Sequence, residues 1–368
     1  MRVLLVDVDS TIPNLALMRL SGYHKAQLDH VHITRLNISY YPHRRRKRTV
    51  DVGDYDRVYV SAIFKGTLPN VEFIGDSKPS KIQFGGTGVD VTTVLPSYVE
   101  ATDLDYSIYP DNDTAYGFIS RGCNRKCYFC VVPAKEGKVR QVETDLEKII
   151  GGFKRVKFMD NNFLQMSNHV EILEWLVARK IPCQFNQGLD IRCITPQNAQ
   201  LIGRLNYIGE YIFAFDDYKY RRMIERQLAL LTWLRPWGAK FYCYVHPDME
   251  LYETVRRVQY LKERQLLPYV MRDIACWDAP NADFYVDIAA YVNQPNIFKK
   301  MDFYEYCQKR AISHERKAKS WRLWVQAESD AGSMAVAFDD ALAEMEAFDM
   351  ELATFIQQKR TVIQLAVL

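Results

Sequence analysis

Residues 117–130 read Gly117-Phe118-Ile119-Ser120-Arg121-Gly122-Cys123-Asn124-Arg125-Lys126-Cys127-Tyr128-Phe129-Cys130. The run Gly117–Ser120 predicts a strand that enters a loop carrying three cysteines. Three and then two residues separate them, so their thiolates can converge on one metal centre from a single loop. A structural zinc takes four protein ligands as a rule. No fourth Cys or His lies near, since the next histidine is His169. Three cysteines fit a four-iron, four-sulfur cluster with one iron left open; structural zinc is the alternative. No cysteine precedes Cys123. Cys183, Cys193, Cys243, Cys276 and Cys307 are scattered and read as buried, inert thiols, which pack as small hydrophobes.

Strands and helices alternate from about 115 to 275. The expected strands after Gly117–Ser120 are Val156–Met159, Cys183–Asn186, Tyr211–Phe215, Phe241–Val245 and Tyr269–Ile274. Between them, apolar spacing predicts helices beginning at Asp145 and over Asn168–Arg179, Pro196–Leu205, Tyr218–Leu234 and Leu251–Gln265. Six such β/α units suit a partial (β/α)6 barrel of parallel strands, an α/β architecture that places active sites at the C-terminal ends of its strands.

The cysteine spacing, the aromatic Phe129 just before Cys130, and the position after the first strand of the alternating region together resemble the radical S-adenosylmethionine (SAM) superfamily. The resemblance covers roughly residues 115–275. It implies that Cys123, Cys127 and Cys130 hold a [4Fe-4S] cluster whose open iron binds the amino and carboxylate groups of SAM. It further implies an electron from a flavodoxin- or ferredoxin-like reductant, cleavage of the sulfonium C–S bond, and a 5′-deoxyadenosyl radical that takes hydrogen from substrate. Phe129 would pack near the adenine.

Other SAM contacts are assigned by position at strand ends. Asp160 or Asn161 carries the acceptor oxygens for the amino group, with an Asx turn as the alternative. In Asn186-Gln187-Gly188-Leu189-Asp190-Ile191-Arg192, Gln187 joins the candidate cofactor contacts. Arg192 offers a planar fork to the carboxylate. Asp190 offers an acceptor to the ribose, unless the two form only a local salt bridge. Asp216 and Asp217 end an apolar run, and one of them, Asp216 in the first instance, is expected to touch ribose or substrate. His246 is a candidate proton donor or a structural residue. Lys135, Lys138 and Arg140, after the cysteines, either neutralise an anionic group or form a solvated loop.

Residues 1–95 read as a small Rossmann-like α/β domain, with strands at Val3–Val8, His30–Arg35, Arg57–Ile63 and Val71–Ile74 and a helix over Asn14–Gln27. In layout it resembles the cobalamin-binding domain that precedes many radical SAM barrels. The Asp-x-His-x-x-Gly signature is missing around His24, so no cobalamin is expected. Without three N-terminal cysteines, the methylthiotransferase branch does not fit. Gly85-Gly86-Thr87-Gly88 reads as a structural turn or a phosphate loop. Residues 96–114 are expected to be a linker, 115–280 the barrel and 281–368 a mainly helical extension. In that extension a basic segment from Lys309 to Arg322 adjoins Trp321 and Trp324. An amphipathic helix with an acidic outer face follows over 328–356.

The chain has 368 residues, Lys+Arg 48 against Asp+Glu 45, and 48% hydrophobic residues. That charge balance leaves any nucleic-acid footprint local rather than global. No run approaches a membrane span, and Met1–Ser10 lacks the features of a signal peptide. A cytoplasmic protein is expected, with its oligomeric state open. Arg44-Arg45-Arg46-Lys47-Arg48 follows Tyr40 and Tyr41, a combination suited to phosphate contact and base stacking, with a merely solvated surface as the alternative. The expected substrate is therefore a nucleic-acid base or nucleotide. A peptide or small metabolite, or a non-catalytic binding module with a structural metal, are the alternatives.

Overall fold

The computed structural model describes residues 1–41, 44–75, 81–309, 320, 322–327 and 329–330. The basic segment ending at Arg322 and the acidic helix over 328–356 lie largely outside them. The chain divides into two compact units, Met1–Gln187 and Gly188–Leu368. It is mixed α/β with parallel sheets.

The first unit opens with β1 (Arg2–Asp7), α1 (Leu15–Ala26), β2 (His30–Arg35), β3 (Arg48–Asp51), β4 (Arg57–Ser61), β5 (Val71–Ile74) and β6 (Ile82–Gly85). The main sheet has the order β2-β1-β4-β6, and all its pairs are parallel. Successive side chains of a strand face opposite sides of the sheet. In β1, Leu4 and Val6 therefore pack with Val58 and Val60, while Val3 and Leu5 meet Leu17 and Met18 of α1. A central strand covered on both faces reads as a continuous apolar run. Asn14 starts α1 by accepting from Leu17 N–H. Val71–Ile74 does not join this sheet as expected. It pairs with β3 in a separate two-stranded ribbon, while β6 takes the edge beside β4. Glu72 and Ile74 are exposed in β5, a pattern that suits a ribbon rather than a covered sheet.

The stretch 96–114, expected as a linker, is packed. It forms α2 (Ser97–Glu100) and buries Val99, Ile108 and Tyr109 against Leu17, Met18 and Leu20. Its prolines and aspartates masked these apolar anchors.

Next come β7 (Ala115–Gly117), β8 (Ser120–Arg121), α3 (Val132–Glu136), β9 (Arg140–Gln141), α4 (Leu146–Ile150), β10 (Val156–Phe158), α5 (His169–Arg179) and β11 (Cys183–Phe185). β11-β10-β7 is a three-stranded parallel sheet, and β8 pairs antiparallel with β9 across the base of the cysteine loop. The single strand expected over Gly117–Ser120 is broken, because Ile119 and Ser120 N–H donate to the Asp160 carboxylate.

The second unit contains α6 (Pro196–Arg204), β12 (Tyr211–Ala214), α7 (Arg221–Leu230), β13 (Ala239–Val245), α8 (Leu251–Glu263) and β14 (Leu267–Arg272). Its strands form a parallel sheet of order β12-β13-β14. The helix expected over Tyr218–Leu234 begins as a 3-10 turn, Tyr218–Tyr220, and ends at Leu230. α9 (Ala282–Val292), α10 (Pro295–Phe298) and α11 (Phe303–Lys309) follow, and their aromatic residues join Trp324 in the core. The strands expected for one barrel thus fall into two three-stranded parallel sheets, and no closed barrel is formed among the described residues. No helix among the described residues is long and apolar enough to cross a membrane.

Candidate metal centre

The cysteine loop leaves the C-terminal end of β7 and is fastened mainly by residues that follow β10. Asp160, 1% exposed, accepts from Ile119 N–H at 3.2 Å and from the Ser120 N–H and hydroxyl at 2.5 and 2.6 Å. Burial outweighs these donors and pushes its carboxyl up to about 6. Asn161 Oδ1 accepts from Gly122 N–H at 3.0 Å. Asn162 Nδ2 donates to the Cys123 sulfur at 3.4 Å, and Arg125 N–H does so at the same distance. Gln165 Oε1 accepts from Asn124 N–H at 2.8 Å.

The loop also folds back on itself. Cys123 N–H donates to Gly137 O at 3.0 Å, and Val139 N–H to Asn124 Oδ1 at 3.1 Å. Gly122 has φ +87°, and a Cβ there would lie 2.2 Å from Lys138 O. Only glycine lets the two limbs approach this closely.

Cys123, Cys127 and Cys130 are half-buried, whereas Cys183, Cys243, Cys276 and Cys307 are buried. Burial alone pushes the Cys183 thiol up to about 12. Cys193 differs from the other scattered thiols in being only half-buried. The loop therefore offers accessible thiols with N–H donors already on one sulfur, a donor set that fits iron–sulfur ligation. Among the described residues, no three His, Cys, Asp or Glu side chains stand together as a ready metal set. Phe129 is half-buried, edge-on to the exposed Tyr128 at 5.3 Å between centroids.

A cavity of about 1070 Å³ lies beside the base of this loop, bounded among others by Phe118, Arg121, Glu136 and Phe153. Arg121 stacks on Phe118 at 4.2 Å and pairs with Glu100 and Glu136. Arg140 donates to Glu136 O, so its cation is turned toward α3. Gln187 is exposed at the end of the first unit.

In the second unit, Arg192 Nε and Nη2 grip the two Asp190 oxygens at 2.7 and 3.2 Å, the local salt bridge weighed as the alternative. Asp190 also accepts from Arg192 N–H. Asp216 accepts from Tyr244 N–H at 3.0 Å. Burial raises its carboxyl, while the charges of Arg257 and Arg192 pull it down, so Asp190, Arg192 and Asp216 share one electrostatic neighbourhood. Asp217 caps the 3-10 turn by accepting from Lys219 N–H. His246 Nδ1 accepts from Asp248 N–H at 3.1 Å, a local turn.

Sequence reasoning passed over Arg257. Fully buried, it donates through Nη1 to Phe215 O and Tyr244 O at 2.9 and 3.0 Å, fixing the ends of β12 and β13. Its signal was an arginine on the face of α8 that buries Val255, Val258 and Leu261. Gln165 gave no signal, because it reaches the loop from a 3-10 turn. In the N-terminal sheet, His24 has both ring nitrogens engaged, Nδ1 with Asp29 at 2.7 Å and Nε2 with the Tyr59 hydroxyl at 3.1 Å.

Compared with known protein families and with curated proteins, the chain matches no family and no curated sequence.

Proposed function

We propose that this chain is a radical SAM enzyme. It cleaves S-adenosylmethionine reductively to methionine and 5′-deoxyadenosine, taking hydrogen from a nucleic-acid base or nucleotide. The observation that carries this reading is the Cys123, Cys127, Cys130 spacing, with Phe129, on a loop at the C-terminal end of a parallel strand. The fastening of that loop by Asp160, Asn161 and Asn162, from the end of the neighbouring strand, supports it. In this reading the two three-stranded sheets are the halves of a partial (β/α)6 barrel, and the surroundings are cytoplasmic.

The three cysteines would hold a [4Fe-4S] cluster, which when bound supplies the electron for sulfonium cleavage from a flavodoxin- or ferredoxin-like donor. The Asn162 and Arg125 N–H groups disperse negative charge on the Cys123 sulfur. Phe129 packs the adenine. Asn161, Gln187 and the Asp190–Arg192–Asp216 group are the candidate contacts to the remainder of SAM. Asp160 acts one step back, by holding the loop.

Anaerobic reconstitution tests this. About four irons per chain are expected from the ligand set, with 5′-deoxyadenosine formed from SAM and dithionite. Replacing Cys123, Cys127 and Cys130 by alanine should abolish both. Stoichiometric zinc in the native protein, or a full cluster in the triple variant, would sink the reading.

A further inference from the structure

Tyr40, Tyr41 and Phe64 form a contiguous aromatic surface on the N-terminal sheet domain. The Tyr40 ring lies 4.0 Å from Tyr41 and 5.1 Å from Phe64 between centroids, with tilts of 35° and 33°. Tyr40 is 39% and Phe64 38% exposed, and they make one patch rather than scattered single residues. The platform is held in place. Arg45 Nη2 donates to Tyr40 O at 3.0 Å and to Lys65 O at 3.1 Å, stapling the two loops that carry the rings. Gly66, at φ +77°, leaves room for that guanidinium, since a Cβ there would lie 2.6 Å from Arg45 Nη1.

Arg44, Arg46, Lys47 and Arg48 follow Tyr41 in the chain and Lys65 follows Phe64, and all five are exposed. Arg44 lies over the Tyr41 ring at 5.5 Å. Among the described residues none of these five cations forms an ion pair, whereas Arg2, Lys25, Arg35, Arg121, Lys148 and Arg192 elsewhere all do. Glu72 lies opposite Thr49 in the β3–β5 ribbon, and the buried Asp9 carboxylate accepts from Phe64 N–H at 3.0 Å.

The surface connects with the cysteine loop. Gly88 packs on the Phe64 backbone, where a Cβ would lie 2.5 Å from Phe64 O, and Gly88 N–H donates to Ala62 O. Beside it, the Thr87 hydroxyl accepts from Lys135 Nζ at 3.0 Å, on the helix that follows Cys130. The glycine-rich turn thus joins the two features structurally.

We propose that this surface binds single-stranded nucleic acid, its bases stacking on Tyr40, Tyr41 and Phe64 and its phosphates meeting the five unpaired cations. The proposal rests on the nucleic-acid substrate of the function proposed above and gives that substrate a docking surface; it does not use the cluster. Stacking needs exposed base faces, which a duplex withholds, so single strands are the occupant that both halves of the surface fit.

The test is fluorescence anisotropy of the full chain, without metal or SAM, against labelled oligothymidylate and oligouridylate of about 16 nucleotides, the upper end of a single-strand site. Five neutralised phosphates give a log–log salt slope of about −3.5, so affinity should fall roughly a hundredfold between about 50 and 200 mM salt. Arg44→Gln/Arg46→Gln/Lys47→Gln, at exposed positions that should not disturb folding, should make the slope shallower by about 2. Tyr40→Ala or Phe64→Ala should each weaken binding roughly fivefold to a hundredfold, and Tyr40→Phe should hold it near wild type. An unchanged slope in the triple glutamine variant, equal affinity for a duplex of the same length, or binding only to phosphatidylserine vesicles would overturn the proposal. The Cys123→Ala/Cys127→Ala/Cys130→Ala variant should bind oligonucleotide normally. Missing iron with intact binding therefore defeats the enzyme reading alone, and missing binding with intact 5′-deoxyadenosine formation defeats this one alone.

Discussion

Asp160 shows how one side chain shapes a loop it does not belong to. Its carboxylate takes Ile119 and Ser120 N–H away from the β7 ladder, which ends at Gly117 ahead of the cysteine loop. The group is buried, and its value is raised to about 6. A carboxyl raised on folding contributes stability that is complete below its unfolded value, near 4, and lost as pH rises through about 6. Relative to Asp160→Asn, the wild type should therefore gain on the order of 2–3 kcal/mol in unfolding free energy between about pH 7 and pH 4. Urea titrations of both proteins at each pH measure this, and a constant difference would show that the carboxyl does not titrate with folding. Arg257 makes a complementary case. Arg257→Met removes the donor that the Phe215 and Tyr244 carbonyls share in the interior and should cost about 3 kcal/mol or more. Arg257→Lys should recover less than half, because an ammonium cannot reproduce the fork. The urea midpoint reads both.

At the scale of elements, the cysteine loop depends on backbone conformation as much as on sulfur. Gly122→Ala would place a Cβ against Lys138 O and strain a left-handed residue. We expect this variant to lose most of its reconstituted iron although its three loop thiols still react with a thiol reagent. Full iron occupancy would show that the loop tolerates opening between Gly122 and Lys138. The loop's existence was legible from the cysteine spacing. Its fastening was only partly so. Asp160 and Asn161 stood out as acceptor residues at a strand end, but which group each would meet depended on how β10 lies beside β7. The Asp190–Arg192 pair was visible as two residues on one turn, and the geometry closes their fork on each other. Strand breaks such as that between β7 and β8 escaped notice, because apolar periodicity does not register a distant carboxylate competing for backbone donors.

On the scale of the whole molecule, two compact units, each with buried clusters of its own, make a single cooperative transition unlooked for. Five of the six tryptophans, all but Trp175, lie in Gly188–Leu368, so their fluorescence reports the second unit. Far-ultraviolet circular dichroism reports both. The two urea transitions should not coincide. Reconstitution with iron and sulfide should move the dichroism-detected transition of the first unit upward and leave the tryptophan-detected one in place, since a ligand stabilises the unit that binds it. One coincident transition that shifts as a whole would show that the units unfold together.

The sequence by itself determined the α/β class, the apolar strands and most helices. It also placed three thiols on one loop, because each of these is written in local periodicity or spacing. Tertiary structure alone decided how the strands are shared out. β5 and β6 differ little as short apolar runs, yet one pairs in a ribbon and the other completes the main sheet. Residues 96–114 look like a linker until Ile108 and Tyr109 are seen in the core of α1. Likewise, Arg44–Arg48 is only a charge run in sequence. Its distinct character comes from Phe64, sixteen residues beyond Arg48, being brought beside Tyr40 by strand pairing and by the Arg45 staple. Pairing choice and side-chain convergence are non-local: each partner's free energy depends on residues far away in the chain, which no local pattern records.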